Sequence, residues 1–234
     1  MLPILLVPGL NCSASLFADQ IPHLWRFGSV MIANHTQGES VEIIASQILA
    51  SAPSRFTLVG FSMGGYIAFE ILRQARVRVA RLALLDTGAR ADTLEQVERR
   101  RERIAMAQSG RFSESLDLQF RLVVHPSRRN DEALLRRYHT MATECGAEAF
   151  VRHLNADMSR PDSRADLASI RCPTTVVVGD NDQLTPPALA EEMASSIKGA
   201  RLVVVPGSGH LSPLERPEAV TQALIALLRS PVPN

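Results

Sequence analysis

The chain is poor in several residue types, and each shortage removes a class of function. Lys198 is the only lysine among 25 basic residues, and 24 acidic residues leave a formal charge of +1. No overall field favours nucleic acid or an anionic membrane surface. There are three cysteines, Cys12, Cys145 and Cys172, widely spaced and without a Cys-x-x-Cys pair. That pattern argues against a disulfide framework or a zinc site and fits a reducing cytoplasm. Aromatic residues make up only 5% of the chain. No apolar run approaches the roughly 20 residues that a membrane span needs. The run at 2–10 is interrupted by Pro3 and Pro8-Gly9 and has no basic residues before it, so it reads as a buried strand rather than a signal peptide. The remaining composition, 46% hydrophobic and 21% charged over 234 residues, suits one globular domain with a full core.

Apolar stretches at 4–7, 30–33, 56–60, 82–85, 174–178 and 201–205 read as short buried strands. Helical patterning falls between them, at 13–24, 40–52, 66–76, 188–197 and 217–228. Alternating buried strands and helices predict a parallel sheet of about six strands covered on both faces. Residues 92–157 contain no convincing strand and read as four successive helices, near 94–109, 112–122, 131–143 and 147–156. The expected organisation is an α/β core at 1–90 and 160–234, with a helical lid at 91–159 inserted into it.

The most informative stretch is Gly60-Phe61-Ser62-Met63-Gly64-Gly65, between the third strand and a helix. A G-x-S-x-G in that context is the strained nucleophile elbow of a serine hydrolase. Small residues are needed at Gly60 and Gly64 because a Cβ would clash where strand and helix cross. A serine nucleophile needs a base and a group that orients the base. Asp182 follows the strand at 174–178, in Gly179-Asp180-Asn181-Asp182, and His210 follows the strand at 201–205, in Gly207-Ser208-Gly209-His210. In an open parallel sheet the loops after the strands share one rim, where ligands bind.

Four elements then carry a resemblance over nearly the whole chain: Pro8-Gly9-Leu10, the elbow, Gly179-x-x-Asp182-x-x-x-Pro186, and Gly209-His210-x-x-x-x-Glu215-x-Pro217. The chain resembles the α/β-hydrolase fold superfamily, in its small serine esterase, enol-lactonase and C–C hydrolase branch. The resemblance implies that fold without its first two strands, so that the sheet is mostly or wholly parallel. It also implies the chain order Ser62, Asp182, His210 for a catalytic triad, with the backbone N–H groups of Leu10 and Met63 as the oxyanion hole. The sequence departs from the family at Pro8, where a histidine is common, and at Asn34-His35-Thr36-Gln37-Gly38-Glu39-Ser40, which replaces an Asp-x-Arg-Gly-x-Gly-x-Ser loop.

These residues point to hydrolysis of a carboxylic ester or lactone of a small, largely apolar molecule, with no metal or organic cofactor. Cleavage of a C–C bond, opening of a 3-oxoadipate enol-lactone, perhydrolysis, or a ligand receptor on the same fold use the same constellation. Cys12, Phe112, Phe120 and Met158 are candidates for lining the pocket. Asp86 competes with Asp182 for the role of acid, with Asp182 favoured by its place in the motif. His23, His35, His125, His139 and His153 have no motif around them. The mixed-charge run Glu95, Glu98, Arg99, Arg100, Arg101, Glu102, Arg103 reads as a solvated helix face, with an anion site as the sharper reading. Monomer and homodimer are both compatible with the sequence.

Overall fold

The computed structural model describes residues 1–232. Its strands are β1 (Ile4–Val7), β2 (Val30–Ile32), β3 (Phe56–Phe61), β4 (Val79–Leu85), β5 (Thr174–Gly179) and β6 (Arg201–Val205). They form one sheet in the order β2-β1-β3-β4-β5-β6, every pairing parallel. The helices are α1 (Ile21–Leu24), α2 (Val41–Ser51), α3 (Met63–Ala75), α4 (Leu94–Gln108), α5 (Phe112–Val123), α6 (Glu132–Cys145), α7 (Ala147–Ser159), α8 (Arg164–Leu167), α9 (Pro187–Ser196), α10 (Ser212–Glu215) and α11 (Pro217–Leu228).

Side chains alternate across the pleat, so each strand feeds two cores. Leu5, Val7, Leu58, Leu82, Leu84, Val176 and Val178 face a layer made by α2, α3 and α9. Ile4, Leu6, Val59, Phe61, Ala83, Leu85 and Val177 face α1 and α11. That second core also takes in Leu116 and Phe120 of α5 and Tyr138 and Met141 of α6. Ala107 of α4 and Phe150 and Leu154 of α7 form a third, smaller cluster. Burial on both faces explains why the strands read as continuous apolar runs rather than alternating ones.

Three local readings differ from the structure. Residues 13–24 are not one helix: a 3-10 turn, Ala14–Phe17, capped by the Ser13 hydroxyl, is followed by the separate short helix α1. Pro22 lacks the N–H that a continuous helix would need and sits instead in the first turn of α1. β4 begins three residues earlier than the apolar run, because Val79 pairs with Phe56 across a register shift. The short helices α8 and α10 carry no periodic signal in so few residues. Among the described residues no helix is long and apolar enough to cross a membrane.

A very close approach lies where β3 turns into α3. A Cβ on Gly64 would stand 2.1 Å from the Val7 carbonyl oxygen, and one on Gly60 would stand 2.4 Å from the Gly64 carbonyl oxygen. The first contact sets how closely α3 can lie over the end of β1. Gly64→Ala should therefore destabilise the protein by about 1–3 kcal/mol, the usual cost of overpacking, with the shift read from the midpoint of urea unfolding at unchanged slope.

Candidate active site

Ser62 occupies the single residue between β3 and α3, at φ 51° and ψ −117°. Among the described residues only three non-glycine residues have left-handed φ: Asn11, Ser62 and Asp86. They follow β1, β3 and β4 at the same rim of the sheet. Such backbone costs on the order of 1–3 kcal/mol each and persists only where surrounding contacts hold it. Ser62 is held by its N–H, which donates to the Leu85 carbonyl at 2.9 Å. The serine itself is half-buried.

The structure brings Ser62, His210 and Asp182 together. His210 Nε2 lies 2.8 Å from Ser62 Oγ, and Nδ1 lies 2.8 Å from Asp182 Oδ2. The Asp182 carboxylate is itself fixed: Oδ1 accepts the N–H groups of Leu184 at 2.8 Å and Thr185 at 2.9 Å, and Oδ2 accepts the Thr185 hydroxyl at 2.7 Å. With Nδ1 directed at the Asp182 carboxylate, which can only accept, Nε2 is left as the acceptor facing the Ser62 hydroxyl. Burial works against a charged imidazole, but the surrounding carboxylates, Asp182 foremost and then Asp86 and Glu215, together outweigh it and raise the His210 pKa above its ordinary value.

Asp86 does not touch the imidazole. Its carboxylate accepts the Gly179 N–H at 2.9 Å and a short hydrogen bond from the Ser212 hydroxyl, so it ties the end of β4 to the loops that carry Asp182 and His210. Burial first, and the nearby Asp182 second, push its pKa well above the carboxylate range. Asp180 shapes the turn, accepting the Ser208 N–H at 3.1 Å.

The two backbone N–H groups expected to face an oxyanion are oriented through their own peptide planes. In a trans peptide the N–H points opposite to the preceding carbonyl, and the described chain has no cis peptide. The Ser62 carbonyl, in the plane of the Met63 N–H, accepts from Gly65 N–H at 2.8 Å and from the Thr87 hydroxyl at 2.8 Å. The Gly9 carbonyl, in the plane of the Leu10 N–H, accepts from Cys12 N–H at 3.0 Å and from His35 Nε2 at 2.9 Å. Met63 also begins α3, whose N-terminal dipole end favours negative charge beside it.

His35 and His153 brace this loop, a role no sequence signal announces. Their rings stack with centroids 4.6 Å apart. His153 Nε2 lies 3.2 Å from the His35 carbonyl, and its Nδ1 accepts the Asn11 N–H at 3.5 Å. Burial lowers their pKa values to about 4 for His35 and about 3 for His153, so both are neutral near pH 7. Glu215 is a second brace. Its carboxylate accepts the Gly209 N–H at 2.9 Å and the His125 N–H at 2.8 Å, joining the His210 loop to the turn after α5.

The pocket candidates are dispersed. Cys12 is buried, its thiol donating to the Leu10 carbonyl at 3.4 Å, and burial pushes its pKa far up, which leaves it a poor nucleophile. Phe112 packs on Phe150, ring centroids 5.2 Å apart, in the small cluster that Leu10 joins. Phe120 is buried in the second core against Tyr138. Met158 is half-buried near the end of α7. The arginine run on α4 is not simply a solvated face: Arg100 is bound by Asp92 and Asp157, and the Arg103 guanidinium lies over the Phe150 ring at 5.0 Å. A groove lined by Arg55, Arg76, Val79 and Cys172 opens at the opposite rim, where the strands begin. Among the described residues no cluster of His, Cys, Asp and Glu could hold a metal ion. Thr87→Val keeps the shape but removes the bond to the Ser62 carbonyl; it should cost about 1 kcal/mol, measurable by chemical denaturation.

The chain is similar to known proteins along nearly its full length. The profile of the alpha/beta hydrolase family matches residues 4–223. The chain is 25% identical, over 231 residues, to a pimeloyl-(acyl-carrier protein) methyl ester esterase of Neisseria meningitidis, covering 92% of this chain and 89% of that one. A thermophilic esterase from Thermogutta terrifontis superposes with a TM-score of 0.87 at 30% identity, covering 98% of this chain and 90% of that one. An enol-lactonase from Burkholderia xenovorans LB400 has the same fold, with a TM-score of 0.87 at 22% identity over 97% of this chain and 91% of that one. The chain belongs to the alpha/beta hydrolase family and is a hydrolase.

Proposed function

We propose that the protein hydrolyses a carboxylic ester or lactone of a small, largely apolar molecule through an acyl-enzyme on Ser62. The reading rests on one observation: His210 spans Ser62 Oγ and Asp182 Oδ2 at 2.8 Å on each side, on a strained strand-to-helix turn. Support comes also from the relatives, since the Neisseria and Thermogutta proteins are both esterases.

The steps follow from the geometry. Ser62 Oγ attacks the carbonyl carbon as His210 Nε2 takes its proton. The carbonyl oxygen becomes an oxyanion, which the Leu10 and Met63 N–H groups stabilise. Each such donor is worth on the order of 10²–10³ in rate. The tetrahedral centre collapses, the C–O bond to the alcohol breaks, and the imidazolium protonates the departing oxygen. Water then attacks the acyl carbon, giving a proton to His210; on collapse the bond to Ser62 Oγ breaks, the imidazolium returns that proton to Oγ, and the acid is freed. Asp182 stabilises the imidazolium at both steps and is not itself protonated. Helices α4–α7 roof the site, and their contacts select the acyl group.

Turnover of short p-nitrophenyl esters tests this reading. Ser62→Ala and His210→Ala should each lower kcat by a factor on the order of 10⁴–10⁶, and full activity in either variant would overturn it. The Thr87→Val variant should lower kcat with little change in KM, because it frees a peptide plane used only when the oxyanion forms. His210 acts as base only when neutral, and its pKa is raised above the ordinary 6.5. The rate should therefore rise with pH through a limb centred above 6.5. Asp182→Asn removes the carboxylate that lifts this pKa, so the limb should move to lower pH; an unmoved limb would contradict the assignment.

A further inference from the structure

The helical block holds buried polar groups that the proposed reaction does not use. Among the described residues, Arg103 Nε and Nη2 are buried without a hydrogen-bond partner. So are both side-chain amide atoms of Asn11 and the Ser115 hydroxyl. Asn11 is 0% exposed and Ser115 2%. Orphaned groups of this kind cost about 1–3 kcal/mol each, more when charged, so a bound ligand or ordered water that satisfies them is strongly favoured.

A chain of packing contacts links these groups. Arg103 lies over Phe150, and Phe150 shares its cluster with Leu10, next to Asn11 in the loop after β1. Phe112 packs on the same Phe150 ring, and Ser115 follows Phe112 by one turn of α5. Tyr138 is buried close to both the Arg103 guanidinium and the Cys12 thiol. Leu10 and the Arg103 guanidinium thus pack against the same small cluster.

The unpaired edge of Arg103 is chemically specific. Nε and Nη2 together form the side-on fork that matches the two oxygens of a carboxylate. One turn earlier on α4, Arg100 uses this same edge on Asp92, Nε to Oδ2 at 2.7 Å and Nη2 to Oδ1 at 3.1 Å. Arg90 uses it on Glu192, at 3.1 and 2.9 Å. Arg103 has no carboxylate of its own. Asp157, which feels its charge, already binds Arg100 Nη1 at 2.6 Å. One positive charge with an open edge, beside neutral polar groups and an Asp157 carboxylate whose Oδ1 is also unpartnered among the described residues, fits a monoanion better than a dianionic phosphate.

We infer that Arg103, with Asn11 and Ser115, binds a carboxylate carried by the substrate at a distance from its scissile ester. This rests on the ester-hydrolase reading and narrows its substrate class from an apolar ester to one with an apolar stem and a carboxylate end. The carboxylate belongs to either the acyl or the alcohol half, and the two are separable by experiment.

The test compares three probe series of increasing chain length: monomethyl dicarboxylates, their dimethyl counterparts, and acetyl esters of ω-hydroxy acids. Wild-type enzyme should favour one of the carboxylate-bearing series over the dimethyl series by at least about tenfold in kcat/KM, as expected for hydrogen bonds to a charged group. Arg103→Met should raise KM for that series about tenfold and leave the dimethyl esters within twofold. Arg103→Lys, which keeps the charge but not the fork, should fall between; it also stands in should Arg103→Met not fold. No preference in the wild type, or an equal loss for charged and neutral esters, overturns the inference. Calorimetry on Ser62→Ala makes the outcome independent of turnover. If the wild type cleaves no ester, the hydrolase reading fails, yet binding of a carboxylate probe that requires Arg103 still supports the anion site. Identical binding with and without Arg103 refutes it.

Discussion

The structure depends on how closely α3 lies over the end of β1. That approach is possible only because Gly64 presents no side chain to the Val7 carbonyl. Strand β3 must then turn into α3 within one residue, and Ser62 takes a backbone conformation that no side chain prefers. The same approach sets the loop after β1 beside the first turn of α3. The Leu10 and Met63 N–H groups, proposed as oxyanion donors, belong to these two neighbouring segments although they are distant in the chain. Strain at Ser62 and close packing at Gly64 are two views of a single constraint.

Around that constraint, stiffness is built from pairs of hydrogen bonds on carbonyl oxygens. The Ser62 and Gly9 carbonyls each accept two, which fixes the opposite N–H groups without contacting them. Donors held in this way need no reorganisation when charge develops beside them. The stacked pair His35 and His153 extends the bracing, and its deep burial keeps both rings neutral. Glu215 couples the His210 loop to the turn after α5, so displacement of the helical block would be felt at the imidazole.

The sheet was legible in the sequence because parallel strands buried on both faces leave dense apolar runs, and six of them were countable. The elbow and the loops of Asp182 and His210 were legible because each motif sits just past such a run. Other features depend on contacts across long separations that local patterning does not encode. His153 meets the His35 carbonyl 118 positions away, and His125 meets Glu215 at a separation of 90. Pro22 split a helix that periodicity alone would have continued. The α4 arginines read as solvated because alternating charge on a helix usually is. In the structure Arg100 is drawn in by Asp92 and Asp157, and the Arg103 head by Phe150. Only the fold separates those two from the exposed Arg99 beside them.

The central claim is that Ser62 is a nucleophile activated by its surroundings rather than a solvated serine in a tight turn. Treatment with a fluorophosphonate followed by peptide mapping tests it most directly. The account predicts one phosphonyl group per chain, attached to Ser62, and none on Ser62→Ala. A folded protein that takes up no label, or one labelled elsewhere while Ser62 stays unmodified, would contradict it.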